Sequence, residues 1–150
     1  MNGQVDKDSD DINGILHAMF AAHETFDAKW RKAASFSVHE RLVFQHLWAS
    51  GPLTIGGLGA RIGISPAAMT HLVDKLENLG LLDRMPDKSD RRRTLLKPTA
   101  KAEALATELS SDAIREVASF AESFGKTQRS AIERFLSGLA DIYEGQAAKR

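Results

Sequence analysis

The densest chemistry in this chain lies in one stretch, Asp87-Lys88-Ser89-Asp90-Arg91-Arg92-Arg93-Thr94, where three arginines follow a turn-forming Lys-Ser-Asp. Guanidinium groups are permanently charged planar forks suited to phosphate oxygens and base edges. A neighbouring carboxylate can hold such a fork in one orientation. A second surface with chemical potential lies upstream. Ser65-Pro66 is a helix start, a hydroxyl N-cap followed by proline at the first helical position, and Gly80 is the residue expected just past the end. On the helix so predicted, residues 65–79, Met69, Leu72, Val73, Leu76 and Leu79 share one face. Ala67, Thr70, His71, Asp74, Lys75 and Asn78 share the other, which is small, polar and open. The bland reading is a surface helix that meets only water, but small residues crowd the face where long solvated ones would serve.

The rest of the chain has to position these two surfaces. Ile12, Ile15, Leu16, Met19, Phe20, His23, Phe26 and Trp30 recur at helical spacing from Asp10 to about Ala34. Ser37 and Glu40 form a capping-box pattern that opens a second helix with Val43, Phe44 and Leu47 on its buried edge. Gly51-Pro52 stops it, Leu53-Thr54 is a short extended piece, and Ile55–Ile62 reads as a glycine-rich helix. Glycines there each cost up to about 1 kcal/mol relative to alanine, tolerable where a neighbouring helix packs closely. Strands predicted at Leu81–Met85 and Arg93–Lys97 make the arginine stretch the tip of a β-hairpin. Thr99 caps a long helix through Phe124, and Thr127 is expected to cap a last one with Ile132, Phe135, Leu136, Leu139, Ile142 and Tyr143.

The totals exclude several classes. With 150 residues, 43% of them hydrophobic and 27% charged, the chain suits one small domain with helical appendages. It has no cysteine, so disulfides, Cys-ligated metals and thiol redox sensing do not apply. No apolar run approaches the roughly 20 residues a membrane span needs, and the acidic N-terminus is unlike a secretory leader. A cytoplasmic protein with no membrane association is expected. The zero net charge hides a segregation, since residues 51–98 hold eight basic and five acidic groups while both flanks are acidic. Such a basic middle suits a nucleic-acid-facing module.

Helix, tight link, capped helix with one open face, then a basic hairpin is the order of a winged helix-turn-helix. The fold class expected is mainly α with a small β-hairpin, the winged helix-turn-helix carrying long N- and C-terminal helices. Residues 65–79 become the recognition helix and 81–97 the wing. N-terminal residues of such a helix reach base edges, which nominates Ala67, Ala68, Thr70 and His71. Ser65 and the free amides of the first turn suit a phosphate, and Lys75 and Arg61 could hold the backbone. From Phe36 through Leu109 the chain resembles the MarR family of transcriptional regulators. The resemblance runs through Gly51-Pro52-Leu53-Thr54, Ile64-Ser65-Pro66, Leu72 to Leu81, Arg84, Asp87, Ser89-Asp90-Arg91-Arg92 and Thr99-Ala100-Lys101.

That resemblance implies a homodimer on double-stranded DNA with a palindromic operator. Residues 1–36 would supply an N-terminal dimerisation helix, 37–98 the winged module and 99–150 the C-terminal dimerisation helices. Sequence physics agrees, because a small winged domain cannot bury the apolar edges of three long helices. The alternative is an intramolecular helical subdomain. At the wing, the resemblance makes Asp90 the brace and Arg92 the reader, with Lys88, Arg91 and Arg93 as supporting charges. It further implies a ligand-responsive repressor taking a small aromatic or phenolic effector near Trp30, His39, Phe44, His46 and Trp48. No other cofactor and no metal is expected. The chain departs from the family at Ala67, Ala68 and His71, where relatives carry polar or arginine side chains, and at Gly56-Gly57, Pro98 and Ala102. A winged module that binds protein or RNA is the alternative function. A small helical enzyme is a weaker one, since the glycines of 55–63 miss the dinucleotide spacing and the histidines show no metal pattern.

Overall fold

The computed structural model describes residues 7–90 and 92–147. Its elements run α1 (Lys7–Ala34), α2 (Val38–Ser50), β1 (Leu53–Thr54), α3 (Ile55–Ile62), α4 (Pro66–Asn78), β2 (Leu82–Pro86), β3 (Thr94–Pro98), α5 (Ala100–Glu122) and α6 (Lys126–Ala147). The chain divides into two units, Met1–Leu109 and Ser110–Arg150.

In the first unit the element ends are set by local chemistry. The Ser37 hydroxyl accepts from the Glu40 amide at 3.2 Å, and the Ser37 amide donates to the Glu40 carboxylate at 2.6 Å, completing the expected capping box. Thr54 and Ser65 cap α3 and α4 through their hydroxyls. At the far end of α4, Gly80 takes φ +68°. Its amide donates to the Glu77 carbonyl and the Leu81 amide to that of Leu76, the paired pattern that closes a helix through a left-handed residue. The same closure ends α1, but there Ser35 occupies the left-handed position at φ +57°, which costs a non-glycine residue about 1 kcal/mol.

The wing is not a plain hairpin. Strands β2 and β3 pair antiparallel, one residue later than the sequence suggests, and β1 joins on the other side of β3 to give the order β1-β3-β2. Leu53 pairs with Leu96 and Thr54 with Leu95. Two residues are too short for any alternation to show, so this third strand is invisible to periodicity. It anchors the wing to the start of α3.

One core unites the module. Val43, Phe44 and Leu47 of α2, Leu58 of α3, Met69, Val73 and Leu76 of α4, and Leu82 and Leu96 of the sheet pack together with Leu81 and Ala102. Truncating such a side chain to alanine costs about 2–5 kcal/mol. The expectation for α4 holds except at Leu79, which is exposed because it sits at the cap where the chain turns away. Close packing accounts for only one of the α3 glycines. A Cβ on Gly59 would lie 3.4 Å from the Met69 side chain, whereas one on Gly57 would meet the Thr54 hydroxyl and one on Gly56 nothing within 4 Å.

In the second unit none of the described residues is buried. Ile114, Val117 and Phe120 of α5 and Ile132, Phe135, Leu136 and Ile142 of α6 are exposed. The start of α6 differs from expectation. Thr127 lies inside the helix, and the Gln128 side chain accepts from the Gly125 amide at 2.9 Å. No described helix is long and apolar enough to cross a membrane.

Because Gly56 faces open space in a helical backbone, Gly56→Ala should stabilise the protein by about 0.5 kcal/mol through loss of unfolded-state entropy. Chemical denaturation that shows a lower midpoint for the variant contradicts this account of α3.

Candidate nucleic-acid interface

The exposed face of α4 is built from its buried one. With Met69, Val73 and Leu76 fixed in the core, Ala67, Ala68, Thr70, His71, Asp74, Lys75 and Asn78 point outward. His71, Asp74, Lys75, Asn78 and Leu79 line a shallow open groove along it. The first turn offers methyl groups, and the Thr70 hydroxyl donates to the Pro66 carbonyl at 3.0 Å. Thr70 therefore presents outward a methyl and an acceptor oxygen. The Ser65 hydroxyl is engaged as the N-cap, accepting from the Ala68 amide at 3.3 Å.

The wing tip is ordered by its carboxylates. Asp87 accepts from the Ser89 amide at 2.8 Å and the Ser89 hydroxyl at 2.6 Å, contacts that hold its carboxyl below the usual carboxylate range. The main chain closes the loop with Asp87 N–H to the Arg93 carbonyl and Arg93 N–H to that of Asp90. One oxygen of Asp90 then receives both the Arg92 amide at 3.0 Å and the Arg92 Nε at 3.2 Å. The Arg92 side chain remains 91% exposed. The guanidinium is thus held through Nε while the side chain as a whole stays in solvent. Arg93 lies 3.9 Å from Asp87, Lys88 is exposed, and Arg91 falls outside the described residues.

Two basic residues nominated for the backbone have protein partners. Arg61 donates to the Ser50 hydroxyl at 2.8 Å, tying the end of α3 to the end of α2 while staying exposed. Lys75 pairs with Glu40 at 2.5 Å. The reading of α4 as a simple two-faced wheel missed this, because the partner comes from α2, distant in sequence.

Sequence reasoning also missed how α4 and the wing are joined. Arg84 on β2 donates through Nε to both Glu77 oxygens at 2.9 Å and through a terminal nitrogen to Asp74 at 3.0 Å. Its hydrogen bonds to Glu77 raise its pKa further above the ordinary range. This clamp ties β2 to α4 and offsets one of the two carboxylate charges on that side of the helix. At the end of α4, Lys101 donates to the Leu79 carbonyl at 2.7 Å and the Thr99 hydroxyl to that of Gly80 at 2.8 Å. An Arg seven and ten residues after two acids gives no distinctive signal until a strand folds back beside the helix.

The residues suggested for an effector fall into two groups. Trp30, Phe44 and Trp48 meet, with Phe36 added: Phe36 stacks on Phe44 at 5.4 Å and Trp30 meets Trp48 edge-on at 6.3 Å. The rings and Leu105 close on one another without room for a water molecule. His39 is exposed and His46 half-buried on α2. Beside the rings lies a polar knot. The Arg41 guanidinium sits 4.1 Å over the Trp30 ring and bonds Asp27 at 2.7 Å, while Arg31 and Gln45 bond the same carboxylate. Burial pushes the Asp27 carboxyl up, but the bonds from Arg41 and Arg31 outweigh it, and the net shift is downward.

A short helix leading into a capped helix with an open face, followed by a three-stranded wing with a braced arginine, defines a winged helix-turn-helix. Residues 38–94, a little over a third of the chain, match the MarR family model. An uncharacterised HTH-type transcriptional regulator, YcgE of Bacillus subtilis, is 30% identical over 95 residues. That match covers 63% of this chain and 62% of the relative's length. Among solved structures, a MarR family protein of Bacillus stearothermophilus superposes with a TM-score of 0.64 at 22% identity, covering 89% of this chain and 94% of that one. NadR, solved in complex with 4-hydroxyphenylacetate, superposes with a TM-score of 0.63 at 25% identity, covering 95% and 99%. A transcriptional regulator of Thermotoga maritima gives 0.60 at 23%, covering 92% and 99%.

The carboxylate of Asp27 has an ordinary value of 3.8 that the fold lowers. Its contribution to stability is therefore complete above about pH 4 and is lost as pH falls through the lowered value. Asp27→Asn should cost about 3 kcal/mol at neutral pH, because Arg41 is left buried over Trp30 without its carboxylate. Denaturation midpoints followed from pH 7 to about 3 should show this gap narrowing on acidification. A gap independent of pH rules out the ion pair as its source.

Proposed function

We propose that this protein is a sequence-specific, double-stranded-DNA-binding transcriptional regulator, a repressor acting by occupancy as a homodimer on a palindromic operator in the cytoplasm. Its activity is binding, not catalysis. The observation that carries the reading is Arg92: a guanidinium almost wholly in solvent yet fixed at its base by Asp90. A guanidinium already oriented in this way loses less entropy when it meets an anionic partner. In this reading α4 enters the major groove, Ala67, Ala68, Thr70 and His71 meet base edges, and Ser65 and the first-turn amides face a phosphate. Arg92 enters the adjoining minor groove or meets its backbone, with Lys88, Asp90, Arg91 and Arg93 shaping the tip.

The homodimer reading is supported by the apolar residues of α5 and α6, which no described residue of their unit buries. The effector reading is supported by the ring cluster of Trp30, Phe36, Phe44 and Trp48, with the Arg41 cation beside it, and by the phenolic acid named with NadR. A small aromatic ligand would have to part these rings, and its binding would shift the population of DNA-competent dimers.

Anisotropy titrations on a palindromic duplex selected from a pool should show affinity falling steeply with salt, by about 0.9 log units per log unit of salt for each phosphate contact. Arg92→Ala should weaken binding about tenfold or more at fixed salt. Equal affinity for variant and wild type at matched salt sinks the wing assignment. A monomer by sedimentation at working concentration sinks the two-half-site arrangement.

A further inference from the structure

Lys75 occupies the exposed face of α4 between His71 and Asn78, the place where a phosphate-binding lysine would be sought. Its side chain is 60% exposed, but its ammonium lies 2.5 Å from the Glu40 carboxylate, which is 2% exposed. Both oxygens of that carboxylate are engaged, and the Ser37 side chain bonds it as well. Oε2 accepts from the Ser37 amide and completes the cap of α2, while Oε1 takes Lys75. We infer that Glu40 withholds Lys75 from DNA, so that this lysine positions α4 against α2 and contributes no phosphate contact. The inference rests on the DNA-binding reading above.

The competition is decided by burial. If Lys75 swung out to a phosphate, Oε1 would remain inside the protein with its charge uncompensated. That penalty exceeds what a screened surface contact returns. The burial already acting on Glu40 is overcome by its bonds to Lys75 and Ser37, and its carboxyl sits below the ordinary range. The exchange is therefore unfavourable as long as position 40 is ionised. Glu40 acts through Lys75 and touches no DNA itself.

Replacing Glu40 by glutamine removes the charge and keeps the capping box, which accepts either residue at this position. Binding to sonicated mixed-sequence duplex DNA is the probe, since it reads phosphate contacts independently of operator. Glu40→Gln should steepen the slope of log K against log salt by about 0.9, the increment of one added phosphate contact. Its affinity advantage over wild type should then shrink about 3.5-fold between roughly 50 and 200 mM salt. The double variant Glu40→Gln/Lys75→Met should return to the wild-type slope. A folded Glu40→Gln protein with an unchanged slope overturns the inference while leaving the DNA-binding reading intact. Should Glu40→Gln fail to fold, side-chain 15N spectra of the wild type decide the matter. The Lys75 ammonium signal should be unmoved when duplex is added, and a shift with coupling to phosphorus overturns the inference. Absence of duplex binding by the wild type at low salt removes both readings together.

Discussion

Everything in the winged module follows from one constraint, that a thirteen-residue helix must bury one side and keep the other uncovered. Met69, Val73 and Leu76 meet this by entering a core that α2, α3 and the sheet supply. A helix held only by an apolar stripe could still roll or slide by a fraction of a turn. Polar ties remove that freedom. Arg84 fixes it to β2, Lys75 to the start of α2, and Thr99 and Lys101 to the start of α5. Each tie reaches α4 from the side or the end and leaves the first turn clear.

The same ties settle the electrostatics. The basic excess of residues 51–98 overstates what a nucleic acid would meet, because several charges are committed internally. Arg84 is spent on Asp74 and Glu77, and Lys75 on Glu40. What remains outward is concentrated at the wing, where Asp90 directs Arg92 and Asp87 organises the turn. On the proposed DNA-binding reading, α4 offers for discrimination only methyl groups, the Thr70 oxygen and His71, a sparse set for a surface of this size.

How much of this the sequence disclosed depends on the range of each interaction. Caps and turns are local, so Ser37 with Glu40, Ser65 with Pro66, and Gly80 were all legible. The winged order and the Asp90–Arg92 pair followed from spacing and family resemblance, since their partners are two residues apart. Leu53-Thr54 was too short to announce its pairing with β3. The pairing of Lys75 with Glu40 was hidden because a helical wheel records only which side a residue is on. Arg84, Lys101 and Trp48 have partners across folded distances, and no periodicity carries that information. The closure of α1 by Ser35 was missed for another reason, as the residue type argues against the conformation it adopts.

The end of α4 has one more consequence, for how this helix moves. Helix termini ordinarily fray, because their last carbonyls bond only to water. Here the carbonyls of Leu76, Glu77, Leu79 and Gly80 all accept donors from within the protein, two of them from residues 99 and 101. The helix is therefore tied at its C-terminal end, where its last turn is coupled to the first turn of α5. Its amides belong to one cooperative unit with the core, and their exchange with solvent follows opening of that whole unit instead of local fluctuation.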